Sequence, residues 1–269
     1  MIAIDFGLSS FKAVKLEDRR IEKKKRIFLN EKQGIEKQIK GFLSGTGFLK
    51  TGKIALTGAY AEKAKKIIEG KGIQVVLVNE IQATAEGSTF LSKEKEFLAV
   101  SAGTGTAMIS VKKNKSAHSG GTALGGKTIT GLNWLITGIK DFKQAESNTL
   151  KGDYKKTDLM LSDVYPKGIG ALKGNVCVSH FGKISSRKKQ DLSAGIFNLV
   201  CQGISLNALC CAKSLGHKKI VFSGSLAESS IFQKTFSECN KVFSFAEPIF
   251  LKEAGYASAV GAALIGEKK

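Results

Sequence analysis

The sequence predicts an α/β protein built as two similar lobes with a cleft between them. Three observations carry this reading. The 269 residues include only 2 Pro but 30 Gly, which suits long helices and strands joined by tight glycine turns. A succession of strand, hairpin and helices begins at residue 1 and begins again near residue 97. Each beginning also places glycines and hydroxyls at the bend of its first hairpin, at Gly7-Leu8-Ser9-Ser10 and again at Gly103-Thr104-Gly105-Thr106. No direct sequence repeat accompanies this, so the duplication rests on element order. The expected division is 1–96 for the first lobe and 97–269 for the second.

The elements follow from hydrophobic period and turn residues. Residues 1–6 are a short apolar run and read as a buried strand. Phe11 to Leu16 and Arg20 to Leu29 alternate and read as two more. Glu31 to Leu43 has apolar residues at helical spacing. Lys53 to Thr57 reads as a strand, Ala59 to Ile68 as a helix stopped at Gly70, Val75 to Val78 as a strand, and Ile81 to Leu91 as a helix. Phe97 to Ser101 and Thr106 to Lys112 form the second hairpin. A glycine-rich loop, Gly120 to Gly126, leads into an amphipathic helix through Trp134 and Ile139. Residues 141–190 are the least regular part. Asp191 to Leu215 is a long helix stopped by Gly216. Lys219 to Ser223 reads as a strand, Glu228 to Cys239 as a helix and Lys241 to Phe245 as a strand. Glu253 to Ile265 is a last helix, whose small residues Ala254, Ala257, Ser258, Gly261 and Ala262 allow close packing against another element.

Bulk properties narrow the function classes. The chain carries 42 Lys and Arg against 23 Asp and Glu, a formal charge of +19. The lysines are scattered, and the densest run, Arg19 to Arg26, has no interleaved aromatics on which bases could stack. A solvated lysine-rich surface is therefore expected, with no nucleic-acid partner. The five cysteines, at 177, 201, 210, 211 and 239, include no CxxC pair, so inert thiols are expected rather than disulfides or zinc. The start of the chain lacks a basic, apolar leader pattern, and the apolar stretches read as too short to span a bilayer. A cytoplasmic protein without membrane contact is expected.

Five segments carry chemistry. In Asp5-Phe6-Gly7-Leu8-Ser9-Ser10-Phe11-Lys12, a buried strand delivers Asp5 to a turn that Gly7 permits, and Ser9, Ser10 and Lys12 can meet phosphate oxygens. A carboxylate facing phosphate makes sense through a hydrated Mg²⁺. The turn Gly103 to Thr106 can hold phosphate from the other side. Gly121 to Thr128 satisfies the GxxxxGK[ST] string, with Gly125, Gly126 and Lys127 at its end. A P-loop needs a buried parallel strand before it, whereas Lys112 to Ser119 is polar and turn-like, and only Asp163 hints at a downstream acidic partner. The glycine turn at a helix start still offers N–H groups to phosphate. Glu80 follows a buried strand at a helix start, where it can accept a proton from an attacking hydroxyl, although a helix-start Glu is also favoured by the dipole alone. Gly224 and Ser225 end a strand at a turn that can seat an adenosine.

Together these segments resemble the acetate and sugar kinase, Hsp70 and actin superfamily, and more narrowly the type II pantothenate kinases. The matching stretches are IDFGLSSFK, VNEIQATAEG, VSAGTGTAMI, GGTALGGKTITGL, DLMLSDVY, SHFGK, IVFSGS and EAGYASAVGAAL, in order along nearly the whole chain. The resemblance implies two ribonuclease H-like (actin-like ATPase) lobes and an interlobe ATP cleft. It implies Asp5 organising Mg²⁺ through water, Glu80 as catalytic base, and phosphate loops at Ser9 to Lys12, Gly103 to Thr106 and Gly125 to Gly126. It further implies His118 and Tyr256 near a small-molecule acceptor, ATP-dependent phosphorylation of pantothenate, and a homodimer built on the long helix. Two positions depart from the family pattern: His118 stands near an Arg position, and Lys127 replaces a Gly. The alternatives are another acceptor, such as pantetheine or an amino sugar, a dehydratase activator, and a nucleotide-binding regulator without catalysis. The activator pattern includes cysteines flanking the second phosphate turn, and this chain has none there.

Overall fold

The computed structural model describes residues 1–47, 52–113, 115–170, 172–243 and 245–269. The first lobe contains β1 (Ile2–Phe6), β2 (Ser10–Glu17), β3 (Arg20–Phe28), α1 (Ile35–Thr46), β4 (Lys53–Thr57), α2 (Ala61–Ile68), β5 (Gln74–Leu77) and α3 (Glu80–Ser92). The second contains β6 (Phe97–Ala102), β7 (Thr106–Lys112), β8 (Lys115–Thr122), α4 (Gly126–Thr137), α5 (Phe142–Thr149), β9 (Leu159–Met160), α6 (Leu161–Val164), β10 (Cys177–Ser179), α7 (Lys189–Leu215), β11 (Lys219–Ser223), α8 (Ser230–Phe243), β12 (Glu247–Phe250) and α9 (Ala257–Lys268). Short 3-10 turns precede β9, α8 and α9.

Two five-stranded sheets have the same topology. Their orders are β3-β2-β1-β4-β5 and β12-β11-β6-β7-β8, which run from opposite ends through equivalent strands. In each, an antiparallel meander of three strands is extended by two parallel strands. The duplication expected from element order is thus present as topology.

Alternation along β1 divides the first core. Ile2, Ile4 and Phe6 pack with α1 and α2 residues such as Ile39, Phe42 and Ile68. Ala3 faces the other way, into a layer formed by Ala259, Val260, Ala263 and Leu264 of α9. By the same alternation Asp5 belongs to the interlobe face. The second lobe is filled by Phe97, Val100, Phe197, Ile204, Phe222 and Phe236 among others.

The last helix therefore departs from the sequence division at residue 96. Although it follows β12, α9 lies on the first sheet, beside β1, β2 and β4, and against α3. Small residues make this possible. A Cβ on Gly87 would fall 1.8 Å from the Ala257 carbonyl oxygen, and one on Gly261 would fall 1.8 Å from that of Ala83.

Several expected boundaries move. Of the strand expected at Lys241 to Phe245, residues 241–243 instead end α8 and residue 244 lies outside the described residues; the strand follows at Glu247–Phe250. Its Pro248, which cannot donate to a ladder, is tolerated because β12 is an edge strand. Of Lys112 to Ser119, read as turn-like, Lys112 ends β7 and residues 115–119 form most of β8, an edge strand with few buried side chains and so no apolar alternation, while residue 114 lies outside the described residues. That strand is antiparallel to β7, so the GxxxxGK[ST] string has no P-loop context. The irregular segment contains α5, which is mostly polar. The reading of short apolar stretches also needs correction: by length and composition α7 is apolar enough to cross a membrane. Its apolar residues instead fill the second core, with Phe197, Val200, Cys201, Ile204 and Ala208 buried.

Candidate active site

The first lobe contributes a carboxylate at the end of β1. Asp5 is 5% exposed, and Lys12, its register partner on β2, places Nζ 3.5 Å from Oδ2. The other oxygen, Oδ1, is buried without a hydrogen-bond partner. Burial raises the Asp5 carboxyl above the usual carboxylate range, and the nearby Lys12 charge opposes that shift. An unpartnered buried carboxylate oxygen gains from a cation or a cation's water. Asp5 therefore fits the water-mediated Mg²⁺ role expected of it.

A glycine and a threonine at the end of β4 border this carboxylate. At Gly58, where φ is +91°, an added Cβ would lie 2.5 Å from Asp5 Oδ1 and 2.8 Å from the Phe6 carbonyl. Thr57, paired with Asp5 across β1 and β4, is fully buried with an unpartnered Oγ1. Sequence reading missed Thr57 and Gly58. Their signal was a Thr-Gly step at the end of a buried parallel strand, the position where α/β folds receive ligands.

Glu80 opens α3. Asn79 caps the helix by accepting from the Ile81 and Gln82 N–H groups, so the carboxylate of Glu80 is not needed for capping. The Glu80 carboxyl is raised above the usual glutamate range, first by desolvation and then by the charge of Asp5, with Lys12 opposing. Glu80 remains accessible to solvent. It lines a cavity of about 290 Å³ with Gly58, Ala59, Glu62, Val78 and Asn79. Gly58, which abuts Asp5 Oδ1, lines this same cavity, so Asp5 and Glu80 border one site.

The second lobe contributes a knot of turns. The Gly103 N–H donates to the Gly105 carbonyl at 2.9 Å, and Gly126 N–H donates to the Gly103 carbonyl at 2.8 Å. Lys127 N–H reaches the Thr104 carbonyl at 3.4 Å, and Thr106 Oγ1 donates to the Leu124 carbonyl at 2.9 Å. A Cβ on Gly121 would lie 2.5 Å from the Thr106 oxygen, and one on Gly125 would lie 2.3 Å from the Thr104 oxygen. Gly224, with φ +87°, backs the Ala102 carbonyl so closely that a Cβ would meet it at 2.3 Å. Ser225 begins the 3-10 turn beyond it. The structure therefore brings Gly103 to Thr106, Gly121, Gly125, Gly126 and Gly224 together. It also corrects one expectation: the N–H groups of Gly126 and Lys127 hold the hairpin turn rather than standing free at the start of α4.

The two turns meet across the cleft, where Ser9 Oγ and Thr104 Oγ1 are 2.7 Å apart. Lys127 is turned to Glu31 of the first lobe. His118 is exposed on β8, opposite Ile109 and three residues before Gly121. Tyr256 is buried under the Arg26 guanidinium, 4.8 Å from its ring centroid, with Lys24 at 5.4 Å. Ser10 is buried at the start of β2.

Comparison with known proteins bears on this geometry. The Fumble family model matches residues 96–265, more than half of the chain. The chain belongs to the Fumble family. Among its relatives, a type II pantothenate kinase of Bacillus cereus is 27% identical over 279 residues, covering 100% of this chain and 98% of the relative. A type II pantothenate kinase of Oceanobacillus iheyensis is 30% identical over 204 residues, covering 72% of this chain and 76% of the relative. Among solved structures, the activator of the 2-hydroxyisocaproyl-CoA dehydratase from Clostridium difficile with bound ADPNP aligns over 100% of this chain and 94% of that one, with a TM-score of 0.67 and 17% identity. A ROK family glucokinase from Streptomyces griseus, in complex with glucose and AMPPNP, aligns over 100% and 99% with a TM-score of 0.64 and 12% identity. The fold of this Fumble-family chain is the two-lobed actin-like one.

Proposed function

We propose that this Fumble-family protein is an ATP-dependent kinase that phosphorylates pantothenate to 4′-phosphopantothenate, the first step of coenzyme A biosynthesis, in the cytoplasm. The observation that carries this reading is that Gly58 abuts Asp5 and lines the same cavity as Glu80, in a chain that is 27% identical along its full length to a type II pantothenate kinase. The turns at Ser9 to Lys12 and Gly103 to Thr106 hold the phosphates of ATP, and the Gly224-Ser225 turn seats the adenosine. Asp5, whose Oδ1 is buried without a partner, would hold Mg²⁺, and the ion would offset phosphate charge. Glu80 accepts the proton of the acceptor hydroxyl as the hydroxyl oxygen attacks the γ-phosphorus and the bond to the β–γ bridging oxygen breaks, releasing ADP, the division of labour usual in phosphoryl transfer. The small cavity beside Glu80 suits a small acceptor. His118 stands near the position where the family pattern has an Arg; a shorter ring lacks the bidentate fork that would grip a carboxylate, which leaves pantetheine or an amino sugar as competing acceptors. A homodimer on the long helix α7 is part of this reading; the exposed apolar side chains Trp134 and Leu135 of α4, which packs on α7, support it.

A coupled ADP-release assay with Mg-ATP and a panel of pantothenate, pantetheine and amino sugars tests the reading. Turnover with pantothenate is expected. Turnover with another acceptor alone moves the substrate and keeps the kinase. Binding of ATP without turnover on any acceptor replaces the kinase with a nucleotide-binding regulator.

A further inference from the structure

The segment between α5 and α7 carries a second group of chemistry-bearing side chains that phosphoryl transfer does not use. Asp158 follows the 3-10 turn Tyr154–Lys156 and is fully buried. Cys177 opens β10, which pairs with β9, and His180 follows β10. The pairing brings the three side chains together. His180 Nδ1 is 3.0 Å from Asp158 Oδ2. Cys177 Sγ is 3.5 Å from the same Nδ1 and 3.8 Å from the same Oδ2. Cys177 and His180 are only half-buried, so the group is reachable from solvent.

The triangle has the dimensions of a metal-ligand face. Zinc bonds of about 2.0–2.1 Å to nitrogen, 2.0–2.2 Å to oxygen and 2.3 Å to sulfur, at tetrahedral angles, place nitrogen and oxygen roughly 3.3 Å apart and each of them roughly 3.6 Å from sulfur. The three separations in this chain depart from those by only a few tenths of an ångström. A thiol–imidazole relay for nucleophilic catalysis is a poorer match. Such a relay uses one ring nitrogen for the thiol and the other for the carboxylate, whereas here both partners face Nδ1.

The carboxylate is also held as a ligand is held. Oδ1 accepts from the Phe181 N–H at 3.0 Å and from Thr157 Oγ1 at 3.2 Å. Oδ2, the oxygen in the triangle, accepts from Asn198 Nδ2 of α7 at 2.8 Å. Such outer partners fix the orientation of a ligating group.

We propose that Asp158, Cys177 and His180 form a binding site for a zinc-type divalent metal, separate from the phosphoryl-transfer site. The fourth coordination position goes to water. On binding, the Cys177 thiol loses its proton to solvent and ligates as thiolate. The His180 proton moves from Nδ1 to Nε2, which frees the Nδ1 lone pair. The metal then ties β10 to the turn before β9, and through Asn198 to the long helix α7. The linear spacing of the cysteines gave no sign of this, because two of the ligands are not cysteine and one of these, Asp158, comes from the far side of the β9–β10 pairing.

The test uses the purified full chain, stripped of metal under reducing conditions and titrated with Co²⁺ and then with Zn²⁺ against a chromophoric chelator. One equivalent of Co²⁺ with a thiolate-to-cobalt charge-transfer band and strong tetrahedral visible bands is expected, displaced by Zn²⁺. Cys177→Ser and His180→Gln should each abolish the band. Cys210→Ser, which alters an exposed thiol of α7, should leave it intact. Asn198→Ala should weaken Zn²⁺ binding by about 10–100-fold, the loss usual for an outer partner. Absence of the band in the wild-type chain, or its persistence in Cys177→Ser, overturns the site. Circular dichroism of each variant separates loss of metal from loss of fold. Either variant of the ligand pair that folds is sufficient for the decision, since the conservative exchanges remove a donor atom without enlarging the side chain.

Discussion

Glu80 is the residue on which the proposed chemistry turns. A general base works in its ionised form, and desolvation together with the Asp5 charge raises the Glu80 carboxyl. The acid limb of kcat/KM is therefore expected above the ordinary glutamate value, with activity rising as pH rises through it. A limb at or below that value would separate Glu80 from the rate. Glu80→Gln keeps the size of the side chain and the Asn79 cap, so it should fold and bind nucleotide while losing about 10²–10⁴ in turnover. Single-turnover assays beside nucleotide-binding titrations read the two effects apart, and near-normal turnover would remove Glu80 from the base role. Lys127 is the opposite case. Its sequence position suggested phosphate contact, yet in the structure it pairs with exposed Glu31 across the lobes. An exposed pair of this kind contributes little to stability.

At the scale of elements, α3 and α9 meet backbone to backbone. With the Gly87 and Gly261 backbones touching the facing helix, any side chain forces the helices apart. Gly261→Ala is expected to destabilise the protein by about 1–3 kcal/mol or more, the usual range for overpacking. Urea denaturation reads this as a lower midpoint, and an unchanged midpoint would mean the helices do not meet in solution. The sequence showed the small-residue face of the last helix and its need for a close neighbour. It did not show which neighbour, because glycine and alanine carry no complementary shape that names a partner. The misplaced strand near residue 245 and the overlooked β8 have a different cause. Both lie at sheet edges, where half-exposed backbone leaves weak apolar alternation and so a weak signal.

Across the whole molecule, β3 ties the lobes together. Arg26 makes a bidentate pair with Glu228 at 2.8 Å for both bonds, and Lys24 reaches Glu253 at 2.7 Å. Glu228 also accepts from the Gly255 N–H. The densest basic run, Arg19 to Arg26, is in part this clasp. Arg26→Ala leaves a partly buried carboxylate short of its partner and a bare Tyr256 ring, and about 1–3 kcal/mol of stability should be lost. Thermal denaturation of Arg26→Ala and Glu228→Gln, alone and together, measures it. Additive losses in the double variant would show that the pair is not coupled. The site at the cleft was legible in part: the turn residues Asp5, Ser9, Gly103 to Thr106 and Gly224 stand out because sharp bends and close backbone approaches demand particular residue types. Thr57 and Gly58 were hidden because their role comes only from lying beside Asp5 in a parallel pairing. The sequence by itself determined the α/β class, the two beginnings and the turn chemistry, since these follow from local period and local backbone geometry. Only the tertiary structure decided that α9 crosses back to the first sheet, that Lys127 faces Glu31, and that Asp158, Cys177 and His180 converge. Those outcomes depend on contacts between residues far apart in the chain, which no local pattern encodes.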